Sequence, residues 1–164
     1  MTDKSILSDH ERKEIDHWLA KYPEDQKQSA LLGALRAVMH EDHYISDEKI
    51  AAVADYLGLP KIAVYEVASF YSMFELDEKA AAKHSISVCT NVSCMLRGSD
   101  KIVEHIEKKL GIKMGETTKD KKFYFKIEEE CLAACSGAPM MQVDHVYYEN
   151  LTTEKVDEIL DGLE

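Results

Sequence analysis

The sequence predicts an α+β protein: an N-terminal helical bundle over residues 1–79, then a compact α/β unit over residues 80–164. Three observations carry this. Apolar residues recur at helical spacing through the first half, punctuated by cap signals. The periodicity changes near Ala80 to short β-branched and aromatic runs. All four cysteines fall in the second half, as CTNVSC (Cys89 and Cys94) and CLAAC (Cys131 and Cys135).

In chain order, Ser8 and Glu11 form a capping box ahead of a helix with Ile15, Trp18 and Leu19 on its apolar stripe. Pro23 opens a second segment in which Leu31, Leu32, Leu35, Val38 and Met39 share a helical face. Ser46 is the expected N-cap of a third helix holding Ile50, Val53, Ala54 and Leu57, stopped by Gly58. Pro60 sits at the first turn of a fourth, KIAVYEVASFYSMF, with Val64, Val67, Ala68, Tyr71 and Phe74 along one face. In the second half HSISVC is a strand ending on Cys89, and RGSDKIVEHIEKKLG is an amphipathic helix stopped by Gly111. FYFKI is a strand, MMQVDHVYYENL a hairpin about Asp144 and His145, and LTTEKVDEILDGLE a final helix capped by Thr152 or Thr153.

The formal charge of −11 argues against binding nucleic acid or anionic lipid, which needs a basic patch to displace counterions. It suits docking onto a basic patch of a protein partner. No stretch approaches the roughly 18 uninterrupted apolar residues of a membrane span. The N-terminal MTDKSILSDHERKE has no apolar signal core, so a cytosolic location is expected. Four cysteines are too sparse for a disulfide scaffold and, in a reducing compartment, favour a metal.

Each cysteine pair follows the end of an expected strand, and strand ends in a small α/β fold meet at one edge, which would gather the thiolates. The spacing of Cys89 and Cys94 implies a loop that curls back on itself; that of Cys131 and Cys135 suits one helical turn. Three groups compete. A structural zinc tolerates these spacings. A 2Fe–2S cluster, wider than one ion, suits two separated loops each presenting a pair. A thiol–disulfide exchanger is disfavoured by the lack of a two-residue dithiol spacing. Thr90, Asn91, Ser93, Ser136 and Gly137 suit tight loops that turn backbone N–H groups toward sulfur, which stabilises an anionic cluster. The same residues are ordinary turn formers. Spacing therefore leans toward iron–sulfur and leaves zinc open.

CTNVSCMLRGSDKI and ECLAACSGAPMMQVDHVYYENLT closely resemble the thioredoxin-like 2Fe–2S component, the E subunit, of the NADH–quinone oxidoreductase family (respiratory complex I). YPEDQKQSALLGALRAV and PKIAVYEVASFYSMF resemble its helical N-terminal region, so the likeness runs from about Tyr22 onward. It implies a thioredoxin-like ferredoxin domain after the helical bundle and one 2Fe–2S cluster on Cys89, Cys94, Cys131 and Cys135. It also implies no catalytic residue on this chain, with FMN and NADH held by a tightly bound F subunit. The expected setting is the peripheral arm of the complex, on the cytoplasmic side of the inner membrane. An equivalent subunit of an NAD-linked hydrogenase or formate dehydrogenase is the near alternative, and a zinc-stabilised interaction module the distant one. Thioredoxin-like folds also suggest a cis Ala138–Pro139 bond. Two departures from the family's pattern, MHEDHYI and LLGAL, lie far from the cysteines and bear on packing or docking.

His84, His105 and His145 read as surface residues, and Asp9, His10, Glu11 and the His40–His43 stretch as solvated helix ends. Glu128 to Glu130, beside Cys131, should face solvent or a partner because they would repel an anionic cluster. Phe70, Tyr71 and Phe74 read as bundle core, and one of Tyr147 and Tyr148 should be buried.

Overall fold

The computed structural model describes residues 6–127 and 131–163. The chain forms two compact units, Met1–Ala81 and Ala82–Glu164.

The first unit packs four α-helices: α1 (Asp9–Leu19), α2 (Leu31–Asp42), α3 (Asp47–Leu57) and α4 (Lys61–Phe70). Local signals set the boundaries. Ser8 Oγ accepts the Glu11 N–H at 3.0 Å while Glu11 Oε2 accepts the Ser8 N–H at 2.6 Å, the reciprocal box expected at the start of α1. Ser46 caps α3, and Gly58 ends it in the left-handed conformation, with φ of 68°. Ile15, Leu31, Leu35, Val38, Ile50, Val53, Leu57 and Val64 form the core. Gly33 of α2 lies against the Trp18 ring of α1 so closely that a Cβ there would stand 2.3 Å from ring carbons. The glycine of LLGAL is thus a packing requirement.

Four expectations need correction here. Two 3₁₀ turns, broken at non-helical Gln26, span Glu24–Ala30 ahead of α2. Leu32 is exposed, and Ala34 takes the core position beside Leu31 and Leu35. The fourth helix stops at Phe70, because Tyr71 is extended and the Phe74 N–H closes a turn onto the Tyr71 carbonyl. Phe74 is buried from that turn, whereas Phe70 is 79% exposed and Tyr71 40%. Apolar residues in a turn can mimic a helical stripe, since periodicity alone does not separate them.

Glu11 is no solvated helix end. It is fully buried, and Lys49 Nζ of α3 donates to both its carboxylate oxygens at 2.6 and 2.9 Å. Lys49 also meets Asp42 at 3.2 Å. Burial alone would lower the Lys49 pKa, but hydrogen bonds and charge from Glu11, then Asp42, hold it above 10.5.

The second unit is a five-stranded mixed sheet in the order β2-β3-β1-β4-β5. Its strands are β1 (His84–Val88), β2 (Glu116–Thr117), β3 (Phe123–Phe125), β4 (Met141–Val143) and β5 (Val146–Tyr148). β1 runs parallel to β3 and antiparallel to β4. The helices are α5 (Val92–Leu96), α6 (Ser99–Leu110) and α7 (Thr153–Asp161). Ile102 and Ile106 of α6 and Val156 and Leu160 of α7 pack with Ile86, Val88, Phe125, Met141 and Val143 of the sheet. Gly111 ends α6 and Thr152 caps α7. β2 and α5 are additions to the sequence reading.

The β4–β5 hairpin turns on Asp144 and His145, both at positive φ (48° and 70°), as a two-residue loop requires. Asp144 ties the turn to β1: its carboxylate accepts the Ser85 N–H at 2.9 Å and meets His84 Nδ1 at 2.6 Å. His84 is therefore partly buried and paired, and His105 meets Asp157 of α7 at 2.8 Å; neither is a bare surface histidine. Tyr147 is exposed, and Tyr148 packs partly against the core. The Ala138–Pro139 bond is cis, as expected. The Glu128–Glu130 expectation lies outside the described residues.

Candidate iron–sulfur site

β1 and β3 are parallel, so both leave the sheet at the same edge, and the two cysteine segments follow them there. Cys89 extends β1, its N–H donating to the Met140 carbonyl at 3.2 Å. Asn91 then caps α5, with its side chain accepting the Val92 N–H, and Cys94 sits inside that helix. The chain after Cys89 thus curls back through a short helix, where a plain loop was expected. Cys131 and Cys135 do not share a helical turn. Ala133 has a φ of 58°, Ala134 is non-helical, and a 3₁₀ turn begins only at Cys135.

All four cysteines are free thiols. Cys89 and Cys94 are buried at 2% and 1% exposure and pack with Leu132, Ala138 and Met140. Cys131 and Cys135 are exposed. The structure nevertheless brings the thiols together. Cys89 shares hydrogen bonds with the thiols of both Cys94 and Cys131, and Cys94 feels the charge of Cys135. Among the described residues no three His, Cys, Asp or Glu side chains close around one point as the shell of a single ion.

Backbone amides converge on the same sulfurs. The N–H groups of Leu132 and Asn91 donate to Cys89 Sγ, that of Met140 to Cys94 Sγ, and that of Ala133 to Cys131 Sγ at 3.4 Å. Burial raises the Cys89 pKa, but the two amides and the neighbouring thiols outweigh it, and the net shift is below the ordinary thiol value. Burial pushes Cys94 up to about 11, reinforced by its hydrogen bond to Cys89 and opposed by the Met140 amide. Cys89 is thus the first of the pair to lose its proton, and a cation held by both sulfurs would displace the proton from Cys94 as well.

Residue spacing alone did not single out Leu132, Ala133 and Met140 as sulfur donors. Their amides matter, and their apolar side chains advertise nothing. The loop carrying Cys135 is held from outside: the Asn150 N–H donates to the Gly137 carbonyl at 2.6 Å and the Leu151 N–H to the Pro139 carbonyl at 2.9 Å. Gly137 faces Glu149, whose side-chain oxygen would lie 2.1 Å from any Cβ added there.

Cysteines placed at the edge of a small mixed sheet, with amides directed at sulfur, are what a ferredoxin-type site requires. A family model described as "Thioredoxin-like [2Fe-2S] ferredoxin" matches residues 15–164, and the chain belongs to that family. Among its relatives, a Rickettsia conorii protein, named as the E subunit of NADH-quinone oxidoreductase, is 45% identical over 147 residues, covering 89% of this chain and 86% of the relative. The mitochondrial NADH dehydrogenase [ubiquinone] flavoprotein 2 of Dictyostelium discoideum is 40% identical over 91% of this chain and 60% of its own length. A solved NAD+-reducing [NiFe]-hydrogenase in its air-oxidised state matches with a TM-score of 0.69 at 20% identity. That match covers 81% of this chain and 22% of the solved one, a likeness of fold. The donor set fits the family's cluster: four thiols would supply two ligands per iron, and three of the sulfurs already receive N–H donors. No helix among the described residues is long and apolar enough to cross a membrane.

Proposed function

We propose that this chain is the 2Fe–2S electron-transfer subunit of an NADH–quinone oxidoreductase, with its cluster on Cys89, Cys94, Cys131 and Cys135. The observation that carries the reading is the placing of the four thiols at one sheet edge, with backbone N–H groups directed at Cys89, Cys94 and Cys131. Relatives that bear the enzyme's name at 40–45% identity support it. The hydrogenase likeness, at 20% identity, adds nothing to the functional choice.

When bound, the cluster supplies one-electron reduction and reoxidation. The chain does the rest. Cys89 and Cys94, on a strand end and a helix, fix one side of the site inside the protein. Cys131 and Cys135 close it from the loop held by Asn150 and Leu151. The amides of Asn91, Leu132, Ala133 and Met140 stabilise negative charge on sulfur and favour the reduced form, whereas a net charge of −11 opposes it and sets a low potential. We place FMN and NADH on an F-type partner subunit and the chain on the cytoplasmic face of the inner membrane, within the complex's peripheral arm.

The test is iron, zinc and sulfide content with the absorption spectrum before and after dithionite. Two irons and two sulfides per chain and bleaching on reduction are expected. A colourless protein holding one zinc would overturn the reading. The isolated chain should oxidise no NADH, and turnover by it alone would break the division of labour.

A further inference from the structure

The two cysteine segments share a local device. In Cys89-Thr90-Asn91 and in Cys131-Leu132-Ala133, the amide two residues on donates to the cysteine sulfur, so the chain wraps each sulfur in the same tight turn. The middle residues differ. Leu132 is apolar and packs with Cys89 and Cys94. Thr90 instead brings a hydroxyl, and its Oγ1 is shielded from solvent with no hydrogen-bond partner. A buried O–H without an acceptor is costly and rare, and a valine would fill the same volume without that cost. Cluster sulfurs accept O–H donors, and Thr90 directly follows Cys89, one of the residues assigned to hold the cluster. Ser99 Oγ is also buried without a partner, but it opens α6 and does not adjoin a cysteine in the chain.

We infer that the Thr90 hydroxyl donates to a sulfur of the bound cluster on the Cys89 side and raises its reduction potential. Donation to sulfur withdraws negative charge and stabilises the reduced state. Thr90 is a positioning and tuning residue, and the assignment rests on the ligand set proposed above.

The experiment uses the full chain loaded with iron and sulfide, in wild-type form and as T90V, T90A and T90S. Midpoint potential is read by titration followed by electron paramagnetic resonance, and iron–sulfur stretching frequencies by resonance Raman in H₂O and D₂O. T90V and T90A should both shift the potential down and lose part of the deuterium-sensitive frequency shift, while T90S stays at the wild-type values. T90A carries the test if T90V assembles poorly. Wild-type potential and isotope shift in either hydroxyl-free variant would overturn the role of Thr90 and leave the ligand set standing. A wild-type chain that binds no iron and sulfide would overturn both.

Discussion

The two cysteine pairs are opposites in their settings. Cys89 and Cys94 are buried on regular structure, a strand end and a helix, whereas Cys131 and Cys135 are exposed on irregular backbone. One half of the site is thus set in regular structure and the other is carried by a loop. Cys94 is also part of an apolar cluster, so it contributes packing beyond its proposed ligation.

Substitution at the two pairs tests that contrast most strongly. Cys94→Ala should abolish cluster retention and also cost the apo fold about 1 kcal/mol in denaturant titration, from lost packing. Cys135→Ser should leave apo stability within about 0.5 kcal/mol, as for an exposed position, and retain part of the iron. Equal apo stability losses at the two sites would erase the distinction.

A buried charge in the helical unit provides the control. Glu11→Ala leaves Lys49 with Asp42 alone and should cost about 3 kcal/mol, the lower end for breaking a buried pair. Iron per folded chain should not change, since both cysteine pairs lie in the second unit; its loss would show that the site depends on the helices. The loop half is probed next. Gly137→Val must displace Glu149 and with it the Cys135 loop, lowering cluster retention several-fold, and adding Glu149→Ala should restore part of it. The smallest effect is alkaline. The stability from the raised Lys49 pKa is fully present below 10.5 and is lost as pH rises through the raised value. Thermal midpoints above pH 10.5 should therefore fall less steeply in Glu11→Ala than in wild type.

Local grammar was legible in the sequence. The Ser8–Glu11 box, the Gly58 and Gly111 stops, the Thr152 cap and the Asp144–His145 turn each depend on a few adjacent residues. What the sequence hid depends on partners distant in the chain. Glu11 looked like a solvated helix end because its lysine lies 38 residues away. Phe70 and Phe74 looked equivalent until a turn separated them. At the site, the residue types and edge placement of the cysteines could be read, but neither the α5 turn nor the irregular path from Cys131 to Cys135 could. Spacing constrains where sulfurs can meet and says little about how the backbone brings them there.

The groups directed at sulfur in this fold are mostly main-chain amides, at Asn91, Leu132, Ala133 and Met140. An amide belongs to the peptide and not to the side chain, so nineteen of the twenty amino acids supply it equally and only proline withholds it. The donor at each position therefore survives any substitution but proline that the Asn91 cap, the packing of Leu132 and Met140 and the positive φ of Ala133 allow. The electronic setting of these sulfurs is thus carried largely by the backbone path, while the side chains at the four positions answer to packing and capping.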